Sequence, residues 1–411
     1  MAMRILKVVQ SYFPFEEKGG TVFKVRALAR ALAERGNSVS ILTADLGLAR
    51  SHHGLELESH EWGWRANIDG IPVVYLSTAG HYRALTFNPN VIDFSQNALG
   101  RFDIVHFYGL YDLLGPAVSY FCRRRSLPYV IEPMGMFRPI DRGFRLKRLW
   151  HGVLGRPFLR GAAELVATSE LEQQEFLDDG IPPGKVVLRY NGIDPKSFED
   201  PPDAGTFRAE WSLPADEPLI VFLSRLIPRK GADMLIRVFA RACPATGRLV
   251  IAGPEGESGY REYLERCVRE AGCAERVVFT GPVYRDEKKA LLRDADIFVL
   301  ASRYENFANV VAEAMAYDVP VIVSNTCGIH SLVQDRAGIV IPPQEDALAA
   351  ALNRFLTDEA FYLKCRAGCG EVVKELGWDR LSEQMEKFYR QALARRTTPE
   401  ASKPLRASEG L

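Results

Sequence analysis

Arg225 and Lys230 stand in the segment SRLIPRKGADMLI (224–236), between an apolar run that reads as a strand and a helix that starts near Gly231. Two cations at a strand end can neutralise a diphosphate through charge-assisted hydrogen bonds; solvated surface charge is the alternative. Glu305 and Glu313 flank seven residues in SRYENFANVVAEAMAYDVPVIVS (302–324). Glu305 follows an apolar strand. Phe307, Ala308 and Asn309 lead into a helix whose first-turn amides have no intrahelical acceptor. Glu313 sits about one turn further on, beside the apolar VVAEAMA stretch. A carboxylate on such a helix needs a partner: the hydroxyls of a ribose diol, or a local Arg or Lys. The pair Gly19-Gly20 lies between a first strand and a first helix, where backbone can approach an anion closely. It is not a G-x-G-x-x-G dinucleotide fingerprint, and an ordinary loop explains it equally well.

These residues need a scaffold that gathers strand ends. Apolar runs read as strands at 4–10, 39–44, 73–76, 103–107, 129–133, 164–169 and 186–190, and again at 219–224, 248–253, 277–281, 297–300 and 319–324. Helical stretches separate most of them. Val22, Val25, Leu28, Ala29 and Leu32 recur on one face over 21–35, and Gly36 stops that helix. Alternating strands and helices imply mostly parallel sheets covered on both faces, which bind ligands beyond the carboxyl ends of their strands. Prolines concentrate between 194 and 218, which marks a boundary. The expected organisation is a first domain over 1–195, a second over 196–375, a helix over 376–395 and a disordered polar tail over 396–411. Residues 46–67 show no clear period and read as a long loop or small excursion.

The 411 residues are 47% hydrophobic and 25% charged, which suits two ordinary globular domains. Lys plus Arg and Asp plus Glu both number 52, so no basic surplus points to a nucleic-acid partner. No apolar run nears the roughly 20 residues of a bilayer span. The opening MAMRILKVVQSYF reads as a first strand and not a leader, so a cytoplasmic location is expected. Seven scattered cysteines, none in a C-x-x-C pair, read as buried free thiols.

The second half resembles the C-terminal domain of glycosyltransferase family 4, the retaining nucleotide-sugar transferases of GT-B fold. S-R-L-x-x-x-K-G (224–231), the glutamate pair within ENFANVVAEAMA, and P-V-I-V-S carry the resemblance. The first half adds the Gly-Gly loop, DIVHFYG, G-M-F after YVIEP, ATSE, and N-G-I-D at 191–194. The implied fold is α/β: two Rossmann-like parallel-sheet domains facing a central cleft, with C-terminal helices returning to the first domain. The implied activity moves a hexose-type sugar, with retention, from a nucleotide diphosphate donor to a hydroxyl acceptor in polysaccharide or glycolipid assembly. The donor is a co-substrate; no cofactor and no metal are expected. The resemblance places Arg225 and Lys230 on the donor diphosphate and Glu305 against the donor sugar hydroxyls. Phe307, Ala308, Asn309 and Val310 stand beside sugar and phosphates, and Glu313 takes the ribose. Gly19 and Gly20 close on the diphosphate from the first domain. Loops near 253–256 and 281–284 flank the base. His106, on a strand end facing the cleft, is either structural or acceptor-side. Two readings that keep the donor contacts stay open: a nucleotide-sugar epimerase of the same fold, and a nucleotide-sugar-binding protein without catalysis.

Three positions depart from the family pattern. Met134 stands where a His often precedes Gly, so either Glu132 or Arg138 compensates at the sugar or the sugar is held differently. Ala308 replaces a Gly after Phe307, and Tyr190 replaces the Pro before N-G-I-D. The acceptor is expected to be a carbohydrate or lipid-linked. Between 123 and 160 the chain carries ten cations against Glu132 and Asp141, and Leu146, Leu149, Trp150, Val153 and Leu154 share one helical face. Packing of that stripe with a solvated cationic face is one reading. The other is peripheral attachment to an anionic membrane surface, at its inner face, through Arg145, Lys147 and Arg148.

Overall fold

The computed structural model describes residues 2–15, 20–48, 54–82, 85–138, 150–243 and 246–395. The chain forms two compact units, one of residues 1–190 with 378–411 and one of residues 191–377. Residues 191–195 thus go with the second unit, and the polar tail over 396–411 lies outside the described residues.

The first unit is built on strands β1 (Arg4–Val9), β2 (Ser38–Ala44), β3 (Glu58–His60), β4 (Gly63–Ile68), β5 (Ile71–Leu76), β6 (Gly80–Tyr82), β7 (Leu85–Phe87), β8 (Ile104–Tyr108), β9 (Tyr129–Glu132), β10 (Glu164–Ala167) and β11 (Val186–Leu188). Nine of them form a sheet in the order β11-β10-β9-β8-β1-β2-β5-β4-β3, and β6 and β7 form a separate hairpin. The pairs from β11 through β5 are parallel. Both faces are covered, which is why β1 and β8 are buried almost throughout and do not alternate. Helices Gly20–Glu34 and Trp378–Arg395 seal one face, with Val25, Leu28, Leu32, Leu381 and Met385 against Ile5, Ile41 and Val73. Helices Val91–Asn97, Leu114–Arg124 and Arg156–Gly161 seal the other, with Phe94, Val118 and Phe158 against Leu6, Val105 and Phe107. Each such side chain, fully buried, contributes about 1.5–3 kcal/mol.

Two sequence expectations change here. Residues 46–67 are not simply a loop, because β3 and β4 extend the sheet antiparallel from β5. The signal is the Asp69-Gly70 dipeptide. Both residues take positive φ (54° and 78°) between the paired Ile68 and Ile71, as a two-residue hairpin turn requires. The apolar stripe ending at Leu154 is also not a regular α-helical face. His151–Gly155 winds as a π-helix, so Trp150 is buried while Val153 is 63% exposed. Leu146 and Leu149 lie outside the described residues, as do Arg145, Lys147 and Arg148.

The second unit carries β12 (Leu219–Leu223), β13 (Arg248–Ala252), β14 (Val277–Gly281), β15 (Ile297–Leu300), β16 (Val321–Ser324) and β17 (Gly338–Ile341). They form an all-parallel sheet in the order β14-β13-β12-β15-β16-β17. A strand beyond β16 has no expectation in the sequence. β17 is four residues long and opens on Gly338, whose missing Cβ would lie 1.9 Å from the Val321 carbonyl oxygen. Order reverses between β12 and β15: the chain builds outward to β14, then returns to the other side of β12. Such a switch point opens a crevice beyond the strand ends.

Candidate active site

The loops leaving β12 and β15 meet at that switch point. β12 runs into Ser224 and Arg225, and the chain turns through Pro228–Lys230. It enters helix Ala232–Ala242 at Gly231, which has φ 76°. A Cβ on Gly231 would sit 2.5 Å from the Ala301 carbonyl oxygen, so both the turn and the close approach demand glycine. Backbone and hydroxyl groups then tie the loops together. Arg303 N donates to Arg229 O at 2.8 Å, and Ser302 Oγ donates to the same oxygen at 3.1 Å.

This framework brings Lys230 to Glu305, and the ammonium is ion-paired to the carboxylate with side chains only 8% and 20% exposed. Glu305 is itself fixed through its backbone: its N–H donates to Thr326 O at 3.0 Å, and its carbonyl accepts from Gly328 N at 2.9 Å. The loop after β16 therefore supports the carboxylate from the far side. Thr326 Oγ1 adds a bond to Ser302 O at 2.7 Å. Arg225 differs from Lys230. It is exposed and makes no hydrogen bond or ion pair among the described residues.

Beyond Glu305 the chain buries Phe307 and starts helix Asn309–Met315. Ala308 takes φ 75° and ψ 67° at the helix start, so this position needs the left-handed conformation even though its residue is not glycine. Asn309 Oδ1 accepts from Asn191 Nδ2 at 3.2 Å, which ties the N-G-I-D segment to the helix start. Val310 follows in the first turn. Glu313 lies on a helix whose Val311, Ala312, Ala314 and Met315 are buried, and its Oε2 accepts from Lys288 Nζ at 3.0 Å. The local cation left open by the sequence is thus present, at Lys288. The loop after β13 packs flush on the loop after β12. A Cβ on Gly253 would lie 1.9 Å from Ser224 O, and Leu226 N donates to Pro254 O at 2.9 Å.

The sequence holds a single Asp-x-Asp triplet, Asp294-Ala295-Asp296, and it belongs to the opposite end of the sheet, just before β15. Both carboxylates are used internally. Asp294 accepts from Gly205 N at 2.7 Å and Arg208 N at 3.0 Å, and Asp296 accepts from Arg208 Nη2 and Leu219 N, each at 2.8 Å.

In the first unit the sequence candidates take different places. Gly20 is the first residue of helix Gly20–Glu34, and Gly19 lies outside the described residues. His106 is not at a strand end. It is the middle residue of β8, fully buried, with Nδ1 2.7 Å from Tyr389 Oη and 3.0 Å from Tyr108 Oη. Burial pushes its imidazole down to about 3, so the ring is neutral. It is structural, not an acceptor-side group. Glu132 is fully buried too and cannot compensate at a sugar. Its carboxylate pairs with Lys24 and, at 2.5 Å, with Arg189 Nη2. Burial alone would raise its pKa, but Arg189 and Lys24 together hold it well below the usual range. Arg138 is turned to Asp178 and Asp179 at 3.3 and 3.5 Å. Met134 takes a left-handed φ of 58°, and the next residue, Gly135, donates its N–H to Glu172 at 2.5 Å. Lys24, Arg189 and Tyr389 in this cluster, and Lys288 in the second unit, carry no signal in the sequence; Asn191 belongs to the N-G-I-D motif, but its bond to Asn309 does not show there. A lysine in helix Gly20–Glu34 or in the EKKALL run (287–292) looks like solvated surface until its partner is known.

Two doubly wound units are the architecture of the GT-B glycosyltransferases that this chain superposes on. Residues 203–376 match the profile of the glycosyl transferases group 1, and residues 19–192 match that of the glycosyl transferase 4-like domain. The chain belongs to this family, the glycosyltransferases of family 4 type. An uncharacterized glycosyltransferase of Methanocaldococcus jannaschii is 27% identical over 95% of this chain and 99% of its own. D-inositol 3-phosphate glycosyltransferase of Xylanimonas cellulosilytica is 27% identical over 92% and 93%. Among solved structures, sucrose-phosphate synthase from Thermosynechococcus elongatus superposes with a TM-score of 0.71 at 23% identity, covering 96% of this chain and 100% of that one. Anabaena HepE in complex with UDP superposes with a TM-score of 0.75 at 20% identity, covering 94% and 99%. Among the described residues no helix is long and apolar enough to cross a membrane.

Proposed function

We propose that this glycosyltransferase moves a hexose from a nucleotide diphosphate sugar to a hydroxyl acceptor with retention at the anomeric carbon. Arg225 is the observation that carries the reading: a guanidinium at the carboxyl end of β12 that spends none of its donors on the described residues. The leaving group is a nucleoside diphosphate that gains negative charge as the glycosidic bond breaks. Fixed cations and dipoles stabilise that charge without reorganising, and such preorganisation is usually the largest single contribution to rate. In this reading Arg225 and Lys230 hold the diphosphate, with the backbone of Phe307, Ala308, Asn309 and Val310 beside it. Glu305 takes the sugar hydroxyls and Glu313 the ribose diol. Side-chain cations carry the charge that a metal carries elsewhere. The structure of Anabaena HepE with UDP and with UDP-glucose supports a nucleotide-sugar donor. No covalent nucleophile is assigned, and the acceptor attacks from the face the nucleotide leaves, giving up its proton to the leaving phosphate.

UDP-, GDP- and ADP-sugars, screened by thermal shift and then by product mass with a panel of glycosyl and lipid-linked acceptors, test the reading. The expected result is one transferred hexose whose anomeric coupling constant matches the donor. Nucleotide release without any acceptor points to an epimerase instead, and donor binding without release points to a protein that only binds.

For the acceptor we favour a lipid-linked glycan at an anionic surface. The described part of the basic segment supports this: Arg124, Arg156 and Arg160 are exposed, as is Val153 (63%), and Tyr120 just before it (47%). Near an anionic bilayer each such cation is worth up to about 1 kcal/mol. Flotation with anionic but not neutral liposomes, lost when Arg145, Lys147 and Arg148 are changed together to Glu, is the expected outcome. Failure of the wild type to float at low salt makes a soluble acceptor the better reading.

A further inference from the structure

The structure assigns Lys288 as a positioning residue that aims the Glu313 carboxylate at the ribose, an inference that rests on the donor contacts proposed above. Lys288 is in helix Arg285–Asp294, which begins directly after the loop leaving β14. Its Nζ donates to Glu313 Oε2 at 3.0 Å, with side chains 33% and 22% exposed. Glu313 Oε1 has no hydrogen bond among the described residues. One oxygen is therefore anchored and the other is available.

Glutamate turns about three side-chain bonds, and a diol asks for one rotamer. A carboxylate held at one oxygen keeps its remaining acceptor in a fixed direction and avoids the ordering cost on binding. The position of the lysine matters as well. It sits in the first turn after Tyr284, and Lys288 N donates to Tyr284 O at 3.3 Å. The same helix turn thus carries the strand-end loop and the cation that orients Glu313. An ordinary surface pair of this exposure would bring little stability, so its removal leaves the fold intact and isolates the effect on binding.

The test measures calorimetric affinities of UDP, GDP and ADP and of their 2′,3′-dideoxy counterparts. Wild-type protein, Lys288→Gln and Lys288→Arg are compared, with circular dichroism of each variant. For the base that binds best, Lys288→Gln is expected to weaken the ordinary nucleotide about three- to fivefold and leave the dideoxy form unchanged. Lys288→Arg is expected to restore most of the loss. Equal weakening of both forms overturns the inference, because the lysine then touches phosphate or base directly or supports the fold. No change in either form overturns it too. If the wild type binds both forms equally, the ribose role of Glu313 fails first, which separates the two readings.

Discussion

Lys230 and Glu305 form an ion pair between the loops that leave β12 and β15, the two strands at which the sheet order reverses. Arg225, on the same loop as Lys230, pairs with nothing among the described residues. The two cations should therefore fail differently. Arg225→Ala is expected to leave the melting temperature within about 1 °C, since exposed substitutions usually stay inside ±0.5 kcal/mol. Turnover should fall by about 2–5 kcal/mol of lost phosphate contact. Lys230→Ala should lower turnover by a similar amount and also lower the melting temperature, because Glu305 loses its counter-charge. Steady-state rates at saturating donor, read beside thermal melts, check both. Near-normal turnover in both variants would remove the diphosphate assignment.

Glu305 and Glu313 are expected to divide the work. Glu305→Gln releases Lys230 from its internal partner, so free nucleoside diphosphate should bind as well as before or more tightly, while transfer falls. Glu313→Ala should weaken nucleoside diphosphate and donor alike. Calorimetry with the free nucleotide decides, and an equal loss in both variants contradicts the division.

How far the sequence could be read follows from what each residue is paired with. The loops after β12 and β15 were legible because their strands are buried on both faces and read as unbroken apolar runs. The carboxyl ends of such runs are where a parallel sheet presents ligands. β3 and β4 gave only a short signal at the sheet edge: Trp64, Ala66 and Ile68 alternate with Arg65 and Asn67 over five residues ahead of the Asp69-Gly70 turn, and most of these positions are half-exposed. His106 was misplaced for a different reason. A histidine on an apolar strand suggests chemistry, but its partners Tyr389 and Glu132 are 283 and 26 residues away in the chain, beyond the reach of any local pattern. Lys288 and Glu313 are 25 residues apart and on different helices, so neither spacing nor period links them.

Ala308 sits at φ 75°, where an L-residue pays about 1–2 kcal/mol and glycine pays none. Ala308→Gly releases that strain but gives the unfolded chain more freedom, which returns part of the gain. The expected net effect is a rise of roughly 0.5–1 kcal/mol in the stability of the second unit. Denaturant titration followed by Trp fluorescence measures it. A loss of stability would mean that the Ala308 methyl, 7% exposed, contributes packing greater than the strain.

Glu164 opens β10 with its side chain fully buried. Neither oxygen has a hydrogen bond among the described residues, and Arg395 Nη1 is 3.8 Å away. Burial raises the carboxyl from 4.5 to about 7, and Arg395 offsets only part of this. Between pH 4.5 and 7 the folded state therefore holds a proton that the unfolded state has lost, so stability falls as pH rises through that window. Glu164→Gln carries no such penalty. The variant should match the wild type near pH 4 and exceed it at pH 8, by no more than about 3 kcal/mol. Urea unfolding at the two pH values tests this, and a constant difference between the proteins would show that Glu164 does not titrate in the window.

Glu132 is the counter-ion of the buried cluster in the first unit. It faces Lys24 and Arg189, both buried, with Lys7 bonded to Tyr108 Oη at 2.6 Å nearby. Burial pushes Lys7 well below its usual range and Lys24 down to about 8, so the cluster has no spare negative charge. Removing one member of such a pair leaves the other uncompensated in low dielectric, which costs about 3–5 kcal/mol. Glu132→Gln preserves shape and removes the charge that Arg189 cannot lose. The first unit should then unfold about 3–5 kcal/mol earlier, and Lys24→Met should cost less, because Arg189 still holds Glu132. Differential scanning calorimetry resolves the transition. A Glu132→Gln protein that melts normally but transfers poorly would return Glu132 to the chemistry, contrary to the contacts that occupy both its oxygens.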